Sequence, residues 1–168
     1  MRNIISCQDA LSVLPTLTSR VVSLTISGVA YPTWCEIVSG VGWTLLMKMD
    51  GNQQTFYYTS SYWSNTASLN PATGITGGVT DSVEYKSALY NVFPYTSLRL
   101  GMAYGGVTSW FTMTTSGTSL YANIADGVYR STSVPTRANW FTITGGPFQP
   151  YCNMVWTCLL YTSDAADE

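Results

Sequence analysis

Histidine is absent from the 168-residue sequence. That removes the commonest general base, the Ser-His and Cys-His pairs and every histidine-containing metal site. The reactive groups that remain are four cysteines (Cys7, Cys35, Cys152 and Cys158) and nine acidic residues. Asp50 precedes Gly51 and Asn52, and Asp126 precedes Gly127. Asp-Gly is a turn signature, because glycine accepts positive φ and the carboxylate bonds nearby backbone. These residues are therefore read as turns and not as a catalytic carboxylate pair. Glu84 and Lys86 read as an exposed pair of small energetic weight. Neither Gly77-Gly78 nor Gly105-Gly106 precedes a helix with Lys or Ser/Thr at the phosphate-loop offset. No catalytic set and no metal set emerges. The tryptophans are the remaining candidates for ligand contact, since the flat faces of Trp63, Trp110 and Trp140 would stack on sugars. Aromatic residues of β proteins mostly fill cores, so burial is expected of Trp43, Trp110 and Trp140. Trp63, on a loop of Ser, Tyr and Asn, is the candidate ligand-binding residue.

The composition fits a single domain large enough to bury its own core. Hydrophobic residues make up 46%, which excludes a disordered chain. Charged residues reach only 10% and aromatic residues 14%, the balance of an extracellular β protein with a hydroxyl-rich surface. Three of the nine acidic residues, Asp164, Asp167 and Glu168, stand in the last five positions, which leaves seven basic residues against six acidic ones elsewhere. Lysine and arginine do not cluster, so the footprint of a nucleic-acid partner is missing. No apolar run approaches the length of a membrane span.

The pattern along the chain predicts an α+β fold, mainly antiparallel sheet with short helices. Ser6 is placed to cap a helix over residues 7–14 that Pro15 ends. Strands are expected at 21–26, closed by Ser27-Gly28, and within 30–38. Residues 42–49 read as one buried strand, turned by Asp50-Gly51 into a hairpin partner at 55–58. Residues 60–80 read as loop, and 81–90 as one or two helical turns. Alternation places Leu98, Leu100 and Met102 on one face of a strand at 96–104, with Arg99 opposite. A further strand surrounds Trp110, a short helix spans 119–125, and strands are expected at 140–143 and 150–156.

The run from Gly42, Trp43 and Thr44 through Lys48, Asp50 and Gly51 resembles the Gly-Trp-Thr strand of fibrinogen-related domains, and most closely that of an invertebrate fibrinogen-like group. Gly40 and Gly42 stand where that family has a glycine run, with Val41 interrupting it. Cys7 and Cys35, followed by Glu36, are similar to the family's first cysteine pair. Tyr62, Trp63, Ser64 and Asn65, then Leu69, Asn70 and Pro71, are similar to its Trp-Thr-Asn segment. Glu84 to Lys86, Leu98 to Met102, Ser119 to Tyr121 and Ile124 to Gly127 follow in family order, and Cys152-Asn153 resembles its later Cys-Asn step. Ser19, Arg20 and Val21 depart from it, lacking a glycine at the strand entry. Residues 158–168 resemble instead a translated sequencing-library adapter. The expected organisation is a partial fibrinogen-like domain over 1–157, truncated at its C-terminus, with a non-native tail over 158–168.

The resemblance implies a disulfide between Cys7 and Cys35, two buried thiols being the alternative. It implies an extracellular, secreted recognition module for carbohydrate or acetylated ligands in innate defence or adhesion. A structural matrix or adhesion protein without a soluble ligand is the alternative, and an enzyme is not expected. The family's calcium loop and neighbouring ligand pocket lie downstream of Cys152, so the resemblance implies calcium for the full-length protein, and no cofactor and no family ligand segment for these residues. Partners are a glycan, an acetylated ligand or a matrix protein, and the full-length protein would suit an oligomer.

Overall fold

The computed structural model describes residues 2–104, 106–128 and 130. The strands expected at 140–143 and 150–156, Trp140, Cys152, Cys158 and the 158–168 tail lie outside the described residues.

The described chain is α+β, and every strand pair in it is antiparallel. Helix α1, Cys7–Val13, starts where Ser6 Oγ accepts from the Asp9 backbone N–H at 3.0 Å. Strands β1 (Arg20–Ile26), β2 (Val29–Val38) and β3 (Val41–Thr44) form one sheet in chain order. Both of its turns are Ser-Gly pairs at positive φ, Ser27-Gly28 and Ser39-Gly40. That backbone twist is the one a two-residue hairpin requires.

Residues 42–49 do not form the single buried strand expected of them. The Leu45 backbone N–H makes a last bond to the Trp34 carbonyl at 3.0 Å. Buried Thr33 then donates its hydroxyl to the Leu45 carbonyl at 2.8 Å. Freed from the first sheet, the chain enters β4, Met47–Lys48, which pairs with β5, Tyr85–Lys86. The hairpin into 55–58 therefore does not form. Asp50 instead makes a local turn, its Oδ1 accepting from the Asn52 backbone at 3.0 Å and side chain at 2.9 Å. Residues 60–80 are loop apart from a 3-10 turn, Ser61–Trp63. The helical turns expected at 81–90 do not form there: Tyr85–Lys86 is strand β5, and helix α2, Leu89–Val92, starts only at the end of that stretch.

Strands β6 (Tyr95–Tyr104) and β7 (Val107–Gly117) form a long hairpin in the expected alternation. Leu98 faces Met113 and Leu100 faces Phe111, while Arg99 and Gly101 oppose Thr112 and Trp110 on the other face. Helix α3, Leu120–Ile124, is capped by Ser119 Oγ on the Ala122 N–H at 3.0 Å. Its Leu120 packs on two apolar clusters, one of Tyr95, Leu98 and Met113, the other of Leu24, Leu46, Leu89 and Phe93. One side chain thus joins the β6–β7 hairpin to the core under the three-stranded sheet.

Gly42 shows how tightly α1 sits on that sheet. A Cβ at this position would fall 2.5 Å from the Cys7 carbonyl oxygen and 2.8 Å from the Gln8 nitrogen. The Gly42 N–H also donates to Gln8 Oε1 at 2.8 Å. Gly42→Ala is expected to cost about 1–3 kcal/mol by overpacking. Urea unfolding checks it, and an unchanged midpoint would contradict the close approach.

Candidate functional site

Cys7 and Cys35 are joined by a disulfide with a Cα–Cα separation of 5.3 Å. Both residues are fully buried. The bridge fixes the first turn of α1 to the middle of β2, and the Cys7 N–H adds a bond to Thr44 Oγ1 at 3.2 Å. It holds the helix against the sheet.

Trp63 lies in an aromatic knot and not on a free loop. Its indole N–H donates to the Tyr57 carbonyl at 2.8 Å, and its ring lies 5.7 Å from that of Phe56. Its own carbonyl accepts from the Tyr90 hydroxyl at 2.8 Å. The side chain is half-buried, and only its outer part is open to a ligand.

At the centre of this knot stands Lys86, expected as an exposed residue and found completely buried. Its Nζ donates to the Asn65 carbonyl at 2.7 Å and to Asn65 Oδ1 at 3.0 Å, and sits 4.5 Å from the Tyr90 ring centroid. The reason is β5, whose Tyr85 and Lys86 are both enclosed between β4 and the bridge to Leu69. The signal available in the sequence was the apolar setting of Lys86, with Tyr85 before it and Leu89 and Tyr90 after.

Burial lowers the Lys86 pKa from its ordinary 10.5. Burial, with the neighbouring Tyr121 and Tyr95, pushes the Tyr90 phenol well above its ordinary 10.0. Burial also raises Tyr95, against the opposing hydrogen bond from Asn123 and charge of Arg130. The two kinds of shift have opposite consequences. Just below 10.5 the unfolded lysine holds more protons than the folded one, so stability rises with pH there. Above 10.0 the unfolded tyrosines release protons that the folded ones keep, so stability falls. Tyr90→Phe is expected to lose about 1 kcal/mol with its hydrogen bond at neutral pH and to flatten the alkaline decline. Urea melts across that pH range check both effects, and an unchanged alkaline slope would contradict the assignment to Tyr90.

A second aromatic group gathers where β3 meets the β6–β7 hairpin. Trp110, expected to be buried, is 40% exposed. Its ring lies over Gly101, in space that any Cβ there would occupy. The Arg99 guanidinium carbon is 4.0 Å from the Trp110 ring centroid and 6.0 Å from that of Trp43. Trp43, expected in the core, is half-buried on the outer face of the sheet, opposite Glu36. Glu36 accepts from Trp34 Nε1 at 2.6 Å. Sequence reasoning assigned Arg99 to an outward face without a role. The missed signal was a glycine two residues after the arginine, which leaves room for a large aromatic from the partner strand.

The Asp126 turn forms as read, its Oδ1 accepting from the Val128 N–H at 3.0 Å. Hydrogen bonds from Arg130 and that N–H hold the Asp126 carboxyl well below the usual range. Among the described residues no three acidic, cysteine or histidine side chains converge to hold a metal. An open hollow of about 360 Å³ between Ile5, Ile26, Phe93 and Pro94 is mainly apolar, with Ser6, Thr25 and Ser27 also on its wall. No described helix is long and apolar enough to cross a membrane. No protein-family model and no curated protein matches this chain.

Proposed function

We propose that this chain is a secreted recognition module of the fibrinogen-related type, non-enzymatic, that binds saccharide or acetylated ligands in defence or adhesion. The observation that carries the reading is the Cys7–Cys35 bridge. It ties the helix to the strand just before Gly42, Trp43 and Thr44, the pairing that the resemblance implies. Such a bridge suits an oxidising, extracellular setting. Tryptophan surface at Trp110 and Trp63, on a framework poor in charge, adds the flat faces that sugars stack on.

A glycan array probed with the oxidised chain, with and without chelator, tests the reading. Saccharide or acetylated hits are expected, and hits lost with chelator would favour the calcium-dependent form of this reading. No hits on the array, with retention on immobilised matrix proteins, would replace this reading with the structural alternative. Turnover of any arrayed ligand would contradict both.

A further inference from the structure

The Arg99 group is built for an acceptor that none of the described residues supplies. Among the described residues the Arg99 side chain has no hydrogen bond and no ion pair, and the indole N–H groups of Trp43 and Trp110 have none either. A guanidinium over an aromatic ring uses its flat face, and its N–H donors lie in its own plane. Three sets of donors therefore gather at one place with no acceptor among them. The carboxylate on that face of the sheet, Glu36, is held by Trp34. Beside the donors stands the exposed ring of Trp110, with the other strand kept low by Gly101.

We propose that Arg99, between Trp110 and Trp43, is a binding site for the carboxylate of an acidic saccharide, a uronic acid unit whose ring lies on the Trp110 indole. The planar fork of arginine matches a planar carboxylate in two parallel hydrogen bonds. The indole face takes the C–H face of the sugar. This site rests on the reading of the chain as a saccharide binder and names the class of saccharide.

The test is titration of the oxidised 168-residue chain with tetragalacturonate, followed by tryptophan fluorescence and calorimetry. The methyl ester of the same oligosaccharide removes only the charge, and a sulfated disaccharide offers the competing anion. The acid is expected to bind about tenfold or more tightly than the ester. Arg99→Lys keeps the charge but loses the fork, and a similar loss of affinity is expected. Gly101→Val keeps Arg99 and displaces the Trp110 ring, and is expected to weaken the acid while leaving the melting transition close to that of the unaltered chain. Glu36→Gln is expected to bind at least as well. If Arg99→Lys fails to fold, the ester comparison and Gly101→Val decide the matter. Equal binding of acid and ester, unchanged binding by the folded Arg99 variant, or no binding at about 10 mM ligand would overturn the site. Tighter binding of the sulfated sugar would overturn the carboxylate assignment. Neutral or acetylated saccharides bound independently of Arg99 would overturn this site and leave the general recognition reading intact.

Discussion

Replacing Lys86 by alanine is expected to lower stability by about 3–5 kcal/mol. The side chain is fully buried, and its Nζ is the tie between β5 and the Asn65 carbonyl and side-chain oxygen. Alanine removes those hydrogen bonds, the contact with the Tyr90 ring and the volume of the stem. Lys86→Met separates the causes. It refills most of the volume and relieves the burial of a charge, and leaves the Asn65 carbonyl without its donor. A smaller loss of about 1–2 kcal/mol is expected for it. Urea unfolding of both variants measures the difference. An alanine variant as stable as the unaltered chain would show that Lys86 does not hold the aromatic knot together.

The second large effect is that of the disulfide. Cys7 and Cys35 close a loop with a sequence separation of 28. Loop entropy alone assigns such a bridge about 3–4 kcal/mol. Cys7→Ser with Cys35→Ser, or reduction of the unaltered chain, is expected to lower the melting temperature by roughly 10 °C. The loss should concentrate at α1, because its attachment to the sheet otherwise rests on the close approach at Gly42 and the hydrogen bonds of Cys7 and Gln8. Hydrogen exchange would locate it. Amides of α1 that stay protected after reduction would contradict the role given to the bridge.

The parts of the fold that local chemistry controls were legible in the residues. Ser6 and Ser119 cap their helices because a hydroxyl there meets free N–H groups, whatever the rest of the chain does. The alternation of Leu98, Leu100 and Met102 against Arg99 is set by the strand period alone, and it holds in the β6–β7 pair. What was not legible depended on distant partners. Residues 42–49 carry the composition of one strand, yet Thr33 closes the first sheet at Leu45 and β5 receives the rest. The expected partner at 55–58 loses to Tyr85–Lys86, more than thirty residues away in sequence. Lys86 looked exposed because lysines generally are, and only the three-dimensional closure of Leu69, Asn65 and Tyr90 around it reverses that. The tryptophans changed places for the same reason. Trp63 is held by Phe56 and Tyr57, while Trp110 is left open across Gly101. The candidate site at Arg99 therefore came from cross-strand geometry, and the candidate at Trp63 from loop composition.

The most direct test of the central claim, that this disulfide-held scaffold recognises saccharides, is one glycan array read with the oxidised and the reduced chain side by side. The account predicts discrete saccharide or acetylated hits for the oxidised chain that weaken or vanish on reduction. An oxidised chain that folds, keeps its Cys7–Cys35 bridge and binds nothing on the array would contradict it.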